Sequence, residues 1–178
     1  MRRAFVLTEL LVFALVVTVL SMWLLPKALE ARMRENEEHA VRYLRMIAGG
    51  QAWWEGDRGA YVSLRQLAEQ VPPAPEGVLN LRTPSLALDP PVIFGEDGVA
   101  HRSGYRFLGG NGPDGRPVGC WGWPNLRTYS GDETFWVNYA DGTVWRTRVA
   151  ASWTDTPGTL APTPDLLIEP VLPTGAQD

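Results

Sequence analysis

"MRRAFVLTELLVFALVVTVLSMWLLPKALEARMREN", residues 1–36, decides how the rest of the chain is read. Between Arg3 and Lys27 it carries one formal charge, Glu9, inside an otherwise apolar run. From Phe5 to Leu25 there are 21 residues, and at about 1.5 Å per residue a helix of that length spans about 30 Å, the hydrocarbon thickness of a bilayer. The stretch predicts a transmembrane helix over residues 5–25. A cleavable secretory signal has a shorter apolar core followed by small residues, whereas this run leads into "SMWLLPK". Glu9 needs its own explanation, because an ionised carboxylate deep in a bilayer costs on the order of 3 kcal/mol by insertion scales. In a plain signal anchor it sits one turn from the helix start and reaches the headgroups, favoured by the positive end of the helix dipole.

Beyond Pro26 the pattern turns amphipathic. Leu29, Met33, Ala40, Leu44 and Ile47 follow steps of three, four or seven and share one face. Glu30 with Arg34 and Glu38 with Arg42, acid first at i,i+4, suit a solvated opposite face. The helix is expected to continue over residues 26–55, with a kink at Pro26 where an amide donor is lost. Gly49 and Gly50 weaken its last turns by about 1 kcal/mol each relative to alanine.

Residues 56–153 read as a globular head. Ser63 and Gln66 form a capping box for a short helix from Leu64 to about Gln70, and the proline-rich residues 71–91 read as an irregular loop. From Gly104 onward the period is that of strands, and Asp141-Gly142 between "ETFWVNYA" and "TVWRTRVA" is a strong hairpin signal. The fold class is therefore α+β, a long N-terminal helix packed on a small antiparallel sheet. Residues 154–178, rich in Pro and Thr without apolar periodicity, read as a mobile tail.

Other features narrow the function. A formal charge of −4 gives no electrostatic case for nucleic-acid binding. Cys120 is the only cysteine, so an internal disulfide is excluded, and between Gly119 and Trp121 it reads as a buried thiol. His39 on the polar side of the helix and His101 in a loop before the sheet lack metal-site spacing with Cys120, and no nucleophile-elbow motif accompanies either histidine. Enzymatic chemistry is not expected. Gly110-Asn111-Gly112-Pro113-Asp114-Gly115 has the letters of a dinucleotide fingerprint, but Pro113 and Pro117 oppose the helix that must start there, so it reads as a turn. Trp53, Trp54, Trp121, Trp123, Trp136, Trp145 and Trp153 are expected mainly in the core.

The segment "AFVLTELLVFALVV" resembles the start of the type IV pilin and type II secretion pseudopilin family. In that family a short basic leader ends in a small residue, Phe follows, and a Glu lies four residues beyond. The resemblance implies a leader of residues 1–4 ending at Ala4, where the family usually has glycine, and a mature N-terminus at Phe5. It also implies that Glu9 pairs with the Phe5 amine of a neighbouring subunit, and it matches Pro26 to a proline many members carry. The "GDRGAYVSLRQL" connection and the Asp-Gly turn before a last strand are also similar to pseudopilins, with Val62 in place of the usual proline.

The resemblance implies processing by a prepilin peptidase, usually with N-methylation of Phe5. It further implies partnership with other pilin-like subunits and an inner-membrane assembly platform, and contact with membrane lipid before assembly. The N-terminus would be cytoplasmic and the head periplasmic. Some pseudopilins bind calcium near the last strands, and Asp132, Glu133 and Asp141 are the candidates by composition, solvated turn acids being the plainer reading. The expected function is a structural filament subunit of a type II secretion or type IV pilus-like machine. The competing expectation is a signal-anchored extracytoplasmic module that binds sugar or peptide through exposed tryptophans.

Overall fold

The computed structural model describes residues 2–70, 93–95, 98–151 and 157–172 of the 178-residue chain. Its first element, α1, is a single helix of 57 residues, Arg2–Arg58, about 85 Å long at 1.5 Å per residue. The expected membrane-length and amphipathic stretches are thus two halves of one rod. Pro26 lies inside it; proline lacks the N–H that would bond the Met22 carbonyl, yet the helix passes through. Gly49 and Gly50 also stay helical, in turns where Ile47, Ala48 and Gln51 are buried against the head. The helix outlasts the expected end at residue 55, running to Arg58, and stops at Gly59, whose φ of +74° is open to glycine without the usual Cβ penalty.

Exposure falls in steps along α1. Residues 9–20 are exposed, Leu29 and Met33 are half-buried, and Ala40, Leu44 and Ile47 are buried with Val41, Tyr43 and Ala48. The expected stripe is therefore the face that turns to the head. The polar face differs from expectation: among the described residues Glu35 and His39 pair at 3.8 Å, and neither Glu30 with Arg34 nor Glu38 with Arg42 closes an ion pair. Exposed i,i+4 pairs are worth only about 0.3–0.5 kcal/mol, and Arg42 instead meets the His39 ring at 3.3 Å.

The head is a seven-stranded antiparallel sheet in which each strand lies beside its sequence neighbour. The strands are β1 Ile93–Phe94, β2 Ala100–Arg102, β3 Tyr105–Asn111, β4 Pro117–Pro124, β5 Thr134–Asn138, β6 Val144–Thr147 and β7 Leu167–Pro170. His101 is thus in a strand rather than a loop. Side chains alternate between the two faces, so Tyr105, Phe107, Cys120, Phe135 and Val137 meet Leu44 and Ile47 of α1 in the main core. Trp121, Trp123 and Trp136 fall on the other face, in a second core with Val99 and Ala151.

The sheet has a definite direction relative to α1. At one end the Asn36 amide donates to the Ser130 carbonyl at 2.9 Å, and the Glu37 carboxylate accepts from the Asp132 N–H at 2.9 Å. At the other end Gln51 holds the Val62 backbone through bonds of 2.6 and 2.9 Å, and Tyr61 meets Tyr139 edge-on at 5.4 Å. The β4–β5 turn therefore faces the exposed half of α1, and the β5–β6 turn faces away from it.

The short helix α2, Leu64–Gln70, forms as expected. Ser63 Oγ accepts from the Gln66 N–H at 3.3 Å while Gln66 Oε1 accepts from the Ser63 N–H at 3.2 Å, a reciprocal capping box. Ser63→Ala is expected to cost about 1 kcal/mol of head stability, measurable as a shift in denaturant midpoint at unchanged slope. Of the stretch expected as a turn, Gly110 and Asn111 end β3, and the turn itself runs over Gly112–Gly115, closed by a 3.0 Å bond from the Gly115 N–H to the Gly112 carbonyl. The Asp141-Gly142 hairpin also forms, but more widely than a two-residue turn: the pairing ends at Val137 with Val144, and Asn138 N–H reaches Thr143 O at 3.2 Å. The proline-rich stretch 71–91 and Trp153 lie outside the described residues.

The expectation of a mobile tail over residues 154–178, with the head ending at 153, is corrected by residues 157–172. Asn111 N–H bonds Thr159 O at 2.6 Å, Ala161 N–H bonds Asn111 O at 2.9 Å, and the Trp121 indole donates to Leu160 O at 3.0 Å. The chain then makes a 3-10 turn at Pro164–Leu166 and pairs with β6 as β7. Ala161 and Leu167 pack on the tryptophan face, and Val171 packs on the main core. The segment has no periodicity because it crosses the sheet before joining its edge, so its order comes from long-range backbone pairing rather than from a repeating face.

Candidate assembly surface

The surface that most distinguishes the molecule is the first half of α1. From Leu10 to Leu25 its large apolar side chains stand clear of the head, with Phe13 69 % and Trp23 72 % exposed. Such a continuous apolar surface marks contact with lipid or protein. The rod is long and apolar enough to cross a membrane. Its internal hydroxyls suit that setting: Thr18 Oγ1 donates to the Ala14 carbonyl and Ser21 Oγ to the Val17 carbonyl, each at 2.8 Å, so neither donor is left unsatisfied in lipid.

Glu9 is exposed on this rod, one turn beyond Phe5. Ala4 and Phe5 lie in its opening turns, and Pro26 marks where apolar sequence gives way to charged sequence. Apart from Glu9, the first charges beyond the span are Lys27 and Glu30. The whole set sits on one helix, and Glu9, Pro26, Lys27 and Glu30 are exposed on it, outside the buried half that meets the head.

The calcium candidates are not brought together. Asp132 and Glu133 precede β5 and Asp141 follows it, at opposite ends of the strand. Each carboxylate also has local work. Asp132 Oδ1 accepts from Thr128 N–H at 3.0 Å, Asp141 Oδ1 accepts from Thr143 N–H at 2.9 Å, and Glu133 pairs with Arg146 at 3.2 Å. Among the described residues no group of three or more His, Cys, Asp or Glu side chains is spaced to hold a metal ion.

Among the described residues the tryptophans of the head are largely enclosed. Trp54, Trp121, Trp123 and Trp136 are buried, while Trp53 and Trp145 are half-buried. An open cleft of about 540 Å³ lies between α1 and the β5–β7 edge, with Arg34, Arg42, Arg45 and Arg146 facing Glu37 and Glu38. Three of its four cations are engaged within the molecule: Arg146 bonds Glu133 and Glu169, Arg45 donates to the Val171 carbonyl at 2.6 Å, and Arg42 meets the His39 ring. Cys120 is fully buried beneath α1, and burial pushes its thiol well above the usual range, so it is an inert core residue. Burial and then the Glu37, Glu133 and Asp132 carboxylates raise the Tyr105 phenol likewise. It stays protonated and donates to the Glu133 carbonyl at 3.0 Å.

What sequence reading missed is the join between rod and head. Asn36 and Glu37 bond the β4–β5 turn directly, and nothing in their local pattern distinguishes them from the surrounding solvated residues. Compared with protein-family models, curated proteins and solved structures, the chain matches none.

Proposed function

We propose that the chain is a structural subunit of a pilin-like filament, serving a type II secretion or type IV pilus-like machine. A prepilin peptidase removes residues 1–4, exposing the Phe5 amine in the new N-terminal turn. The subunit waits in the inner membrane through residues 5–25, with its head on the periplasmic side, until an assembly platform moves it into the filament. There the apolar rods of neighbouring copies replace lipid, and Glu9 of one copy meets the Phe5 amine of the next. The observation that carries this reading is the division of α1: an exposed apolar half holding one carboxylate, continuous with a half docked on an antiparallel sheet.

A charge in lipid is retained where it has a partner to find, and proteolysis would supply one on every copy. Mass spectrometry of the N-terminal peptide, from protein made together with a prepilin peptidase, tests the reading. The expected result is loss of Met1–Ala4 and a methylated Phe5. A chain that keeps its first four residues in the presence of the peptidase would overturn the reading, and would suit a plain signal anchor.

A further inference from the structure

We propose that the β4–β5 turn, Leu126–Tyr129, rests on the lipid headgroups while the subunit is membrane-borne. The proposal depends on α1 crossing the bilayer and does not depend on filament assembly. Direction comes first: this turn is tied through Ser130 and Asp132 to Asn36 and Glu37, the stalk-side end of the packed half of α1. Among the described residues it therefore lies at the end of the head that faces the apolar half of α1. The β2–β3 turn lies at the same end, where Gly104 sits against the Asn36 side chain.

The turn is built to hold its side chains outward. Leu126 is 58 % and Tyr129 64 % exposed, with Arg127 and Thr128 exposed between them. The backbone beneath is closely bonded. Ser130 N–H and Oγ both reach the Leu126 carbonyl, at 2.8 and 2.9 Å, and Ser130 Oγ accepts from the Leu126 N–H at 2.9 Å. Thr128 takes a φ of +68°, rare for a β-branched residue, and its N–H is held by Asp132 Oδ1. Two large apolar groups flanking a guanidinium are thus fixed in water without contributing to either core.

Their chemistry fits a lipid surface. Tyr favours the water–hydrocarbon boundary, Arg favours phosphate, and an exposed Leu gains by leaving water. The distance sets a condition on the contact. Leu25 and Asn36 are eleven residues apart on one helix, about 16 Å along its axis. A tilt of about 20°, common for membrane helices, lowers one side of the head towards the bilayer. The headgroup layer occupies about 5–7 Å beyond the hydrocarbon on each side, which leaves about 10 Å along the axis. The contact requires the helix to tilt towards this turn so that its long exposed side chains cover that gap.

The test uses the full chain in vesicles of phosphatidylglycerol and phosphatidylethanolamine at high lipid-to-protein ratio. An environment-sensitive fluorophore is attached at Tyr129→Cys or, as the far-end control, at Asp141→Cys; Cys120 is fully buried and stays unlabelled in the folded chain. Quenching by headgroup spin-labelled lipid is expected to be at least threefold greater at position 129 than at 141. With the probe moved to Arg127→Cys, adding Leu126→Ser and Tyr129→Ser is expected to remove most of the quenching. Equal quenching at 129 and 141 in protein that resists alkaline carbonate extraction would overturn the contact while leaving the span intact. Extraction by carbonate would overturn the span and the contact together. A probe signal that grows with protein density and ignores the quencher would assign the turn to a second copy and overturn the lipid contact.

Discussion

Trp136→Ala is expected to lower the unfolding free energy of the head by about 3–5 kcal/mol, the usual cost of emptying a buried aromatic site. Trp136 is 4 % exposed and lies directly across from Trp121 on β4 and Trp145 on β6, so three indoles form a ladder over the face turned away from α1. Its ring is 5.0 Å from that of Trp121 at 60°, an edge-to-face pair that adds to simple burial. The ring also fills the space above two glycines. A Cβ at Gly110 would lie 2.5 Å from it and one at Gly119 2.1 Å. Once the indole is gone, neither glycine has a side chain to move into the void, which limits collapse and keeps the cost near the top of the range. The C-terminal residues that cover this face, Ala161 and Leu167, lose their packing partner at the same time. Denaturant unfolding of the full chain in detergent micelles, followed by near-ultraviolet circular dichroism, measures the loss. A change below about 1 kcal/mol would mean that the covering segment does not seal this core.

The parts of the fold legible in sequence were those encoded locally. Leu29 to Ile47 announced the packed face of α1 by spacing alone, Ser63 and Gln66 announced α2, and the alternation in "ETFWVNYA" placed Trp136 on one face. What covers that face was not legible. Residues 157–172 carry no repeating pattern, since their order depends on Asn111, the Trp121 indole and the β6 edge, each far away in the chain. The glycines under Trp136 were unreadable for the same reason, because a close approach across strands leaves no mark on neighbouring residues. Of the candidate site, the apolar rod and its single acid were plain from composition. Asp132, Glu133 and Asp141 looked alike as acids, and only the intervening β5 separates their positions.

Glu9→Leu is expected to leave membrane insertion intact and to cut incorporation into the proposed filament by at least tenfold. In the bilayer the change is favourable, since it removes a carboxylate costing on the order of 3 kcal/mol and adds an apolar group. The head is indifferent to it, because Glu9 is exposed and remote from the packed half of α1, where Asn36 bonds the β4–β5 turn. In the filament the sign reverses. The Phe5 amine of the next copy would be enclosed among apolar rods without its carboxylate, and removing one partner from a buried ion pair typically costs about 3–5 kcal/mol. That is more than about a hundredfold in an association equilibrium, so a tenfold loss is a conservative threshold. Glu9→Gln separates charge from shape, since it keeps the volume and a hydrogen-bonding oxygen; it should fall between the wild type and Glu9→Leu. The measurement is the ratio of sheared filament to membrane-retained protein for each variant, with circular dichroism confirming an unchanged head. Equal ratios for the wild type and the Glu9→Leu variant would show that rod packing alone assembles the subunit and that the acid has no pairing role.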